Sequence, residues 1–472
     1  MREKFEYLFK NVGVLTISNF SSKILVFLLV PLYTSALTTA EYGTYDLMIS
    51  FAQLMVPVLS ANIAAGVMRY TMDKKENKKE AFAIGICITA MAAGLFAILV
   101  FITDRLNLIA GAQGLHMYLY CYFVVYLLNT LLGDYSKGKE DIKTIAIAGA
   151  LGTISVITFN IVLLLILNMG LQGFFLANIV GLAIPDCYYI IKFRDDITIG
   201  KINKMLARKM LNYSIPLIFT TVGWVINNTA DKYVVTLLCG VSATGLISVA
   251  YKIPAIVNTI HNIFISAWHI SAVKEYGNSD AIRFYNDVLV YMNLMMYGAG
   301  AFLILLCKPI ACVLFAKEFY TAWRYVPFLL ISSIINSSSG IIGAILSAQK
   351  NSIAMARSGI IGIASNFLLN FVLIYIVGPQ GATIATAISS LIMYIIRMKP
   401  LKGHLDAKYL TKNHISWGLL TLQAMVFIKE GWSQSLVPYL IQLVLILFGF
   451  VLYRSTLKRL IVVAGVFVKK KT

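Results

Sequence analysis

Long apolar runs separated by short polar gaps fill almost the whole chain, and the basic residues are sorted among those gaps. The runs cover roughly residues 12–37, 43–68, 81–103, 116–133, 144–168, 171–191, 213–239, 244–268, 287–307, 326–346, 353–377, 380–396, 415–428 and 436–452. An α-helix rising 1.5 Å per residue needs about 20 apolar residues to cross hydrocarbon. The pattern therefore predicts an all-α integral membrane protein with about 14 transmembrane helices. Of the 40 Lys and Arg residues, only Arg105, Lys308, Lys317, Arg324 and Lys429 fall in the alternate set of gaps. The N-terminus and the other gaps hold nearly all the rest, so the positive-inside rule places both termini in the cytoplasm of a multi-pass protein of the cell membrane.

Composition sharpens this picture. A chain with 59% hydrophobic residues, 13% charged residues and a mean hydropathy of +0.79 cannot cover itself with a water-soluble surface. The net charge of +19 lies in short loops such as Lys74, Lys75, Lys78 and Lys79 and in the tail Lys469 to Lys471. Such clusters orient the chain and meet anionic lipid headgroups, and no nucleic-acid partner is expected. The segment Met1 to Lys10 is mixed in charge and leads into an apolar run too long for a signal-peptide core, so that run reads as the first span. The six cysteines lie in or at the ends of apolar runs without metal-ligand spacing. No metal site and no disulfide framework is expected.

The longest polar stretch, 192–212, divides the chain. Residues 1–191 form a lobe of six spans, 192–212 a cytoplasmic linker, 213–400 a second lobe of six, and 401–472 two extra spans with a basic tail. Sliding the second half back by 202 residues sets TSALTTAEYGTYDL at Thr34 over TLLCGVSATGLISV at Thr236, with Thr34 on Thr236 and Gly43 on Gly245. An even number of spans gives both halves the same orientation, and a substrate site at their interface is the expectation. Six of the prolines inside these runs, Pro31, Pro57, Pro185, Pro216, Pro254 and Pro327, are each expected to kink a helix.

Candidate chemistry rests on charge inside the spans. Lys23 lies mid-span, roughly 18 to 20 Å from either surface, too deep for its ammonium to reach water without a cavity or a partner. Thr16, Asn19 and Lys23 share one helical face. Thr220, Asn227 and Asp231 form a similar stripe, followed by Lys232. Lys252, Thr259, Asn262, Ser266 and His269 form another, with Asn258 and His261 beside it. Asp231 and Lys252 lie at matching depths, and an ion pair between them is expected. A structural lock of that hairpin and a role in coupling are both compatible with the pair. Asp46 reads as an acid in the first turn of the second span, stabilised by the helix dipole. Basic residues outnumber acidic ones in this set, which points to an anionic cargo rather than a cationic one. Lys23, Lys232 and Lys252 are the expected diphosphate-binding cavity residues, with Arg69 at the mouth or as a topological anchor. Asn19, Asn227, Asp231, Asn262 and His261 are the polar and coupling residues. No phosphate-binding glycine loop, HExxH or GxSxG is present. The chain is therefore expected not to be an enzyme and to hold no cofactor, its energy coming from an H+ or Na+ gradient or from the substrate itself.

The segments PLYTSALTTAEYGTYDL from Pro31, IPLIFTTVGWVINNTADKYVV from Ile215 and GLISVAYKIP from Gly245 resemble the Wzx-like polysaccharide flippases of the multidrug/oligosaccharidyl-lipid/polysaccharide (MOP) exporter superfamily. The resemblance implies two pseudo-symmetric six-helix lobes in a V around a central cavity, plus two C-terminal helices. It implies alternating access, and a cargo of undecaprenyl-diphosphate-linked oligosaccharide moved to the outer leaflet for cell-surface polysaccharide synthesis. Polysaccharide polymerase and glycosyltransferases are the implied partners. Tyr251 and Trp224 are positioned to stack on sugar rings. The competing readings are a MATE-type cation-coupled multidrug antiporter, which would depend on Asp231, and a membrane polymerase or acyltransferase, for which the outer loops are too short.

Overall fold

The computed structural model describes residues 27, 29–73, 76–105, 114–197, 203–401, 405, 407–429 and 437–458. Asn19, Lys23 and Thr16 lie outside the described residues. What is described contains helices and no strand. They are α1 (Val30–Ala36), α2 (Thr39–Leu59), α3 (Ile63–Thr71), α4 (Lys78–Arg105), α5 (His116–Gly138), α6 (Ile142–Asn160, continued by a π-helical turn at Ile161–Ile166), α7 (Gly170–Lys192), α8 (Lys204–Cys239) and α9 (Val241–Ala250). There follow α10 (Lys252–Glu275), α11 (Ala281–Leu305), α12 (Cys307–Leu314), α13 (Val326–Ala348), α14 (Ser352–Val377), α15 (Gln380–Met398), α16 (Ala407–Lys429) and α17 (Val437–Leu452).

Among the described residues eight helices are long and apolar enough to cross a membrane, or ten if each of two bent pairs counts as one span. Two of the expected spans are broken rather than straight. The second expected span is α2 and α3 meeting at 58°, and the eighth is α9 and α10 meeting at 42°. The first bend has a local cause: Pro57 removes a backbone donor near the end of α2, and Ala61 and Asn62 adopt left-handed φ values of 49° and 51°. The thirteenth run is longer than its apolar core, because α16 spans 23 residues.

Only three of the six prolines interrupt a helix: Pro57, Pro185 and Pro216. Pro31 and Pro327 sit at the first positions of α1 and α13, and Pro254 lies in the first turn of α10. The first four N–H groups of a helix have no intrahelical acceptor, so proline there removes no bond. Polar side chains start the helices. Thr38 and Glu41 form a reciprocal capping box, in which Thr38 Oγ1 accepts from Glu41 N at 3.2 Å and Glu41 Oε2 from Thr38 N at 2.8 Å. Asp141, Asn203 and Asn351 cap α6, α8 and α14.

The described chain packs as two compact units. The first runs from Ser22 to Gly245 with Ala316–Glu318, and the second comprises Leu246–Phe315 and the chain from Phe319 on. The division thus falls inside α9, after Gly245, and α8 belongs with the first six spans. In the first unit aromatic rings fill the interior: Phe82 stacks on Tyr135 at 4.0 Å and Phe96 on Phe123 at 3.8 Å. In the second, α13 is buried nearly end to end, with α10, α11, α15 and α16 among the helices packed around it. Helix α14 instead exposes Ile353, Ile360, Leu368, Tyr375 and Ile376, the apolar surface of a helix in contact with lipid.

Candidate substrate-binding faces

Four contacts fasten α8 and the start of α9 to α2 and the segment that follows it. At one end Gly43 and Gly245 bring the α2 and α9 backbones together, leaving no room for a Cβ on either. Next, Lys232 Nζ meets Asp46 Oδ2 at 2.6 Å, both side chains mostly buried. Further along, Asn62 Nδ2 donates to Thr221 Oγ1 at 3.3 Å. At the end bearing the basic loops, Lys209 Nζ meets Glu76 Oε1 at 3.0 Å. Asp46 is not the dipole-stabilised acid of a first turn. Helix α2 begins at Thr39, which sets Asp46 a full turn deeper, where it neutralises Lys232. The phenols of Tyr42, Tyr45, Tyr122 and Tyr233 lie within electrostatic range of this carboxylate.

The stripe on α8 divides. Thr220 and Asn227 are exposed, whereas Asp231 is buried and already engaged. Arg69, in the last turn of α3, is exposed and forms no ion pair among the described residues. The first unit therefore exposes Arg69 on α3 and, seven residues apart, Thr220 and Asn227 on α8.

The second unit exposes polar residues of its own. Lys252 is the first residue of α10, immediately after the bend at Tyr251; it is half-buried and forms no ion pair among the described residues. Asn262 and Ser266 are exposed on the same helix. His261 is not part of that face. Its Nδ1 shares a 2.9 Å hydrogen bond with Ser337 Oγ, and its ring lies against Gly340, so it is committed to the α10–α13 contact. Trp268 fixes the same contact by donating from Nε1 to the Ile341 carbonyl at 3.1 Å. Asp231 and Lys252 fall in different units. The side chain of Trp224 lies outside what is described.

Three buried polar groups went unread in the sequence. Asn129 Nδ2 donates to Asp186 Oδ1 at 2.8 Å between α5 and α7. Arg397 donates from Nε to Ser358 Oγ at 3.0 Å and from Nη1 to the Ser339 carbonyl at 3.1 Å, joining α13, α14 and α15. Asn293 bonds Ser416, Trp417, Ser338 and Tyr453, tying α16 and the segment after α17 to α11 and α13. Each breaks an otherwise apolar run or sits at its edge, which is the signal by which it could have been found.

Two compact helical units holding eight to ten membrane-length apolar helices among the described residues define a polytopic membrane protein. Residues 8–269, more than half of the chain, match the family described as polysaccharide biosynthesis protein, and the chain belongs to that family. It is similar to a protein of Haloferax volcanii named as a probable low-salt glycan biosynthesis flippase, Agl15, with 24% identity over 258 residues, or 53% of this chain and 54% of that relative. The chain thus matches about half the length of this curated relative. Its fold resembles that of the lipid II flippase MurJ in an inward closed conformation, with a TM-score of 0.71 and 16% identity over 95% of this chain and 99% of that one. It also resembles an inward-facing MATE family multidrug transporter of the MOP superfamily, with a TM-score of 0.62 and 15% identity over 86% and 96%. These relatives and neighbours are flippases and transporters, not enzymes.

Proposed function

We propose that the protein is a flippase of cell-surface polysaccharide synthesis, carrying an undecaprenyl-diphosphate-linked oligosaccharide from the cytoplasmic to the outer leaflet by alternating access. Both termini lie in the cytoplasm, and the glycosyltransferases and polymerase that make and use the cargo are its functional partners. The observation that carries this reading is the charge left over once the ion pairs are counted. Lys232 is spent on Asp46, whereas Arg69 in one unit and Lys252 in the other have no carboxylate partner among the described residues, on helices that are otherwise apolar. An uncompensated cation in such surroundings is costly unless an anion visits it. A diphosphate supplies that anion, and the polyprenyl tail stays in lipid. Lys23 is the third expected contact. Family membership and the name of the Haloferax relative support the same cargo class.

A MATE-type cation antiporter is the second reading, favoured by the fold likeness to MATE transporters and by the buried acid Asp231. The two separate in proteoliposomes loaded with a fluorescent polyprenyl-diphosphate oligosaccharide. Arg69→Gln and Lys252→Gln are each expected to slow translocation about 10-fold or more, the worth of one charged hydrogen bond. Transport of organic cations with no movement of the lipid-linked sugar, abolished by Asp231→Asn, establishes the antiporter instead.

A further inference from the structure

Asp186 is an acid placed where an acid is expensive. It lies on α7, six residues before that helix ends at Lys192, and is 4% exposed. Its Oδ1 accepts the hydrogen bond from Asn129 Nδ2 at 2.8 Å, while its Oδ2 is buried without a hydrogen-bond partner among the described residues. No Lys, Arg or His among the described residues forms an ion pair with it. Around it, α5 contributes the neutral amide of Asn129, and α6 approaches through Gly152 against Pro185 and Val156 against Gly181. Helix α2 meets α7 farther along, through Tyr45 on Phe174. The titratable group that interacts with Asp186 is Tyr189, whose phenol also senses Tyr188 and Asp141.

A carboxylate with one neutral donor and no cation costs several kcal/mol in such surroundings, and the group escapes that cost by taking up a proton. A sodium ion would need a shell of oxygens. Asn129 turns its amino group toward the acid, and the described residues contain no group of three His, Cys, Asp or Glu placed to share a metal.

We propose that Asp186, held by Asn129, is a proton-carrying site that couples translocation to a proton gradient. The carboxylate gains one proton, forming an O–H bond and losing its charge, and is then sealed between α5, α6 and α7. When the helices reopen, that O–H bond breaks and the proton leaves to water, restoring the carboxylate. Pro185 supplies the place to open, because it has no N–H to give the Gly181 carbonyl and α7 is weakest beside the acid. This deepens the flippase reading by naming its source of energy, and it rests on that reading.

Infrared spectroscopy of the purified protein in nanodiscs tests the protonation without any transport. A protonated-carboxyl C=O band is expected at neutral pH in the wild type, lost in Asp186→Asn and shifted in Asn129→Leu, where the acid survives without its amide donor. Absence of the band, or its persistence in Asp186→Asn, overturns the proposal. In proteoliposomes an imposed proton gradient is expected to speed wild-type flipping of the lipid-linked glycan and to have no effect on the rate of Asp186→Asn. A full gradient response in Asp186→Asn overturns the coupling. If the band is present but the wild type flips no lipid-linked glycan, the flippase reading fails while the proton site stands.

Discussion

Gly43 and Gly245 lie against one another in a reciprocal contact. A methyl group on Gly43 would run into the carbonyl oxygen of Val241, and one on Gly245 into that of Thr39. Thr39 and Val241 are themselves equivalent under the 202-residue offset that aligns the two glycines. Each helix thus offers its glycine to the same carbonyl of the other, which is what a two-fold relation between repeated segments requires. Small residues let membrane helices approach this closely.

Replacing either glycine by alanine must push the two backbones apart. Gly245→Ala is expected to destabilise the protein by about 1–3 kcal/mol, the usual cost of forcing a methylene into a packed contact. The combined Gly43→Ala, Gly245→Ala variant should cost less than the sum of the singles, since one displacement relieves both clashes. Thermal unfolding in detergent, followed by intrinsic fluorescence, reads both quantities.

The Asp46–Lys232 pair predicts an asymmetry between single and double variants. Lys232→Gln leaves a mostly buried carboxylate without its cation, at a cost of about 3–5 kcal/mol. Asp46→Asn combined with Lys232→Gln removes both charges and should recover much of that loss. A double-mutant cycle on the unfolding midpoint decides it, and additive effects would show that the pair is not coupled.

At the end bearing the basic loops, Asp196 joins α5 to α7: Lys139 Nζ lies 2.6 Å and Tyr135 Oη 3.0 Å from its Oδ2. Burial alone would raise its pKa, but the bonds from Lys139 and Tyr135 and the charges of Lys139 and Lys79 outweigh it, holding Asp196 below the ordinary carboxylate range. A depressed folded-state value gives stability that is complete above the unfolded value near 4 and is lost as pH falls through the lower folded one. The unfolding midpoint is therefore expected to drop on acidification from neutral pH to about 3, with a shallower slope in Lys139→Gln.

Asn293 uses both ends of its amide. It donates to Tyr453 Oη at 2.6 Å and Ser416 Oγ at 3.0 Å, and accepts from Trp417 Nε1 at 3.0 Å and Ser338 Oγ at 3.3 Å. Asn293→Leu keeps the volume and strands Trp417 Nε1 and Ser338 Oγ, each costing about 1–3 kcal/mol when unpaired, while Tyr453 and Ser416 keep their bonds to Asn413. Limited proteolysis of the segment between α15 and α16 should accelerate in this variant if the network holds the last two helices in place.

The helices were legible in the sequence because hydrophobic length is a property of single segments. Lys399 to Leu401 and the caps Asp141, Asn203 and Asn351 close or open them where turn chemistry predicts. Partners across helices were not legible. Depth alone matched Asp231 to Lys252, but Asp46 lies where the close approach at Gly43 and Gly245 carries α2 to α8, and no one-dimensional pattern ranks such neighbours. His261 was read as a cavity residue because it borders the Asn262 stripe, yet one step around a helix is 100°. That rotation sends it into α13. Asp186 is legible as an acid within an apolar run, but its bond to Asn129, 57 residues away on another helix, is not.

The network around Asn293 also sets an order of assembly. Asn293 and Tyr453 are 160 residues apart in the chain, and Asn293 lies on α11, one of the helices packed around α13. A ribosome delivers α13, with its buried Ser332, Ser333, Ser337, Ser338 and Ser339, long before it delivers α16 and the segment after α17. Until those arrive the amide of Asn293 has no full set of partners, and the second unit must wait half-built in the bilayer. The first unit waits less, because its fastening contacts close within residues 43–245 and its last piece, Ala316–Glu318, which bonds to Thr34 and Ser35, is made before α13. Synthesis thus produces one finished half and one pending half. Truncation near the C-terminus should leave the first half intact while stranding the second for the membrane's quality-control proteases.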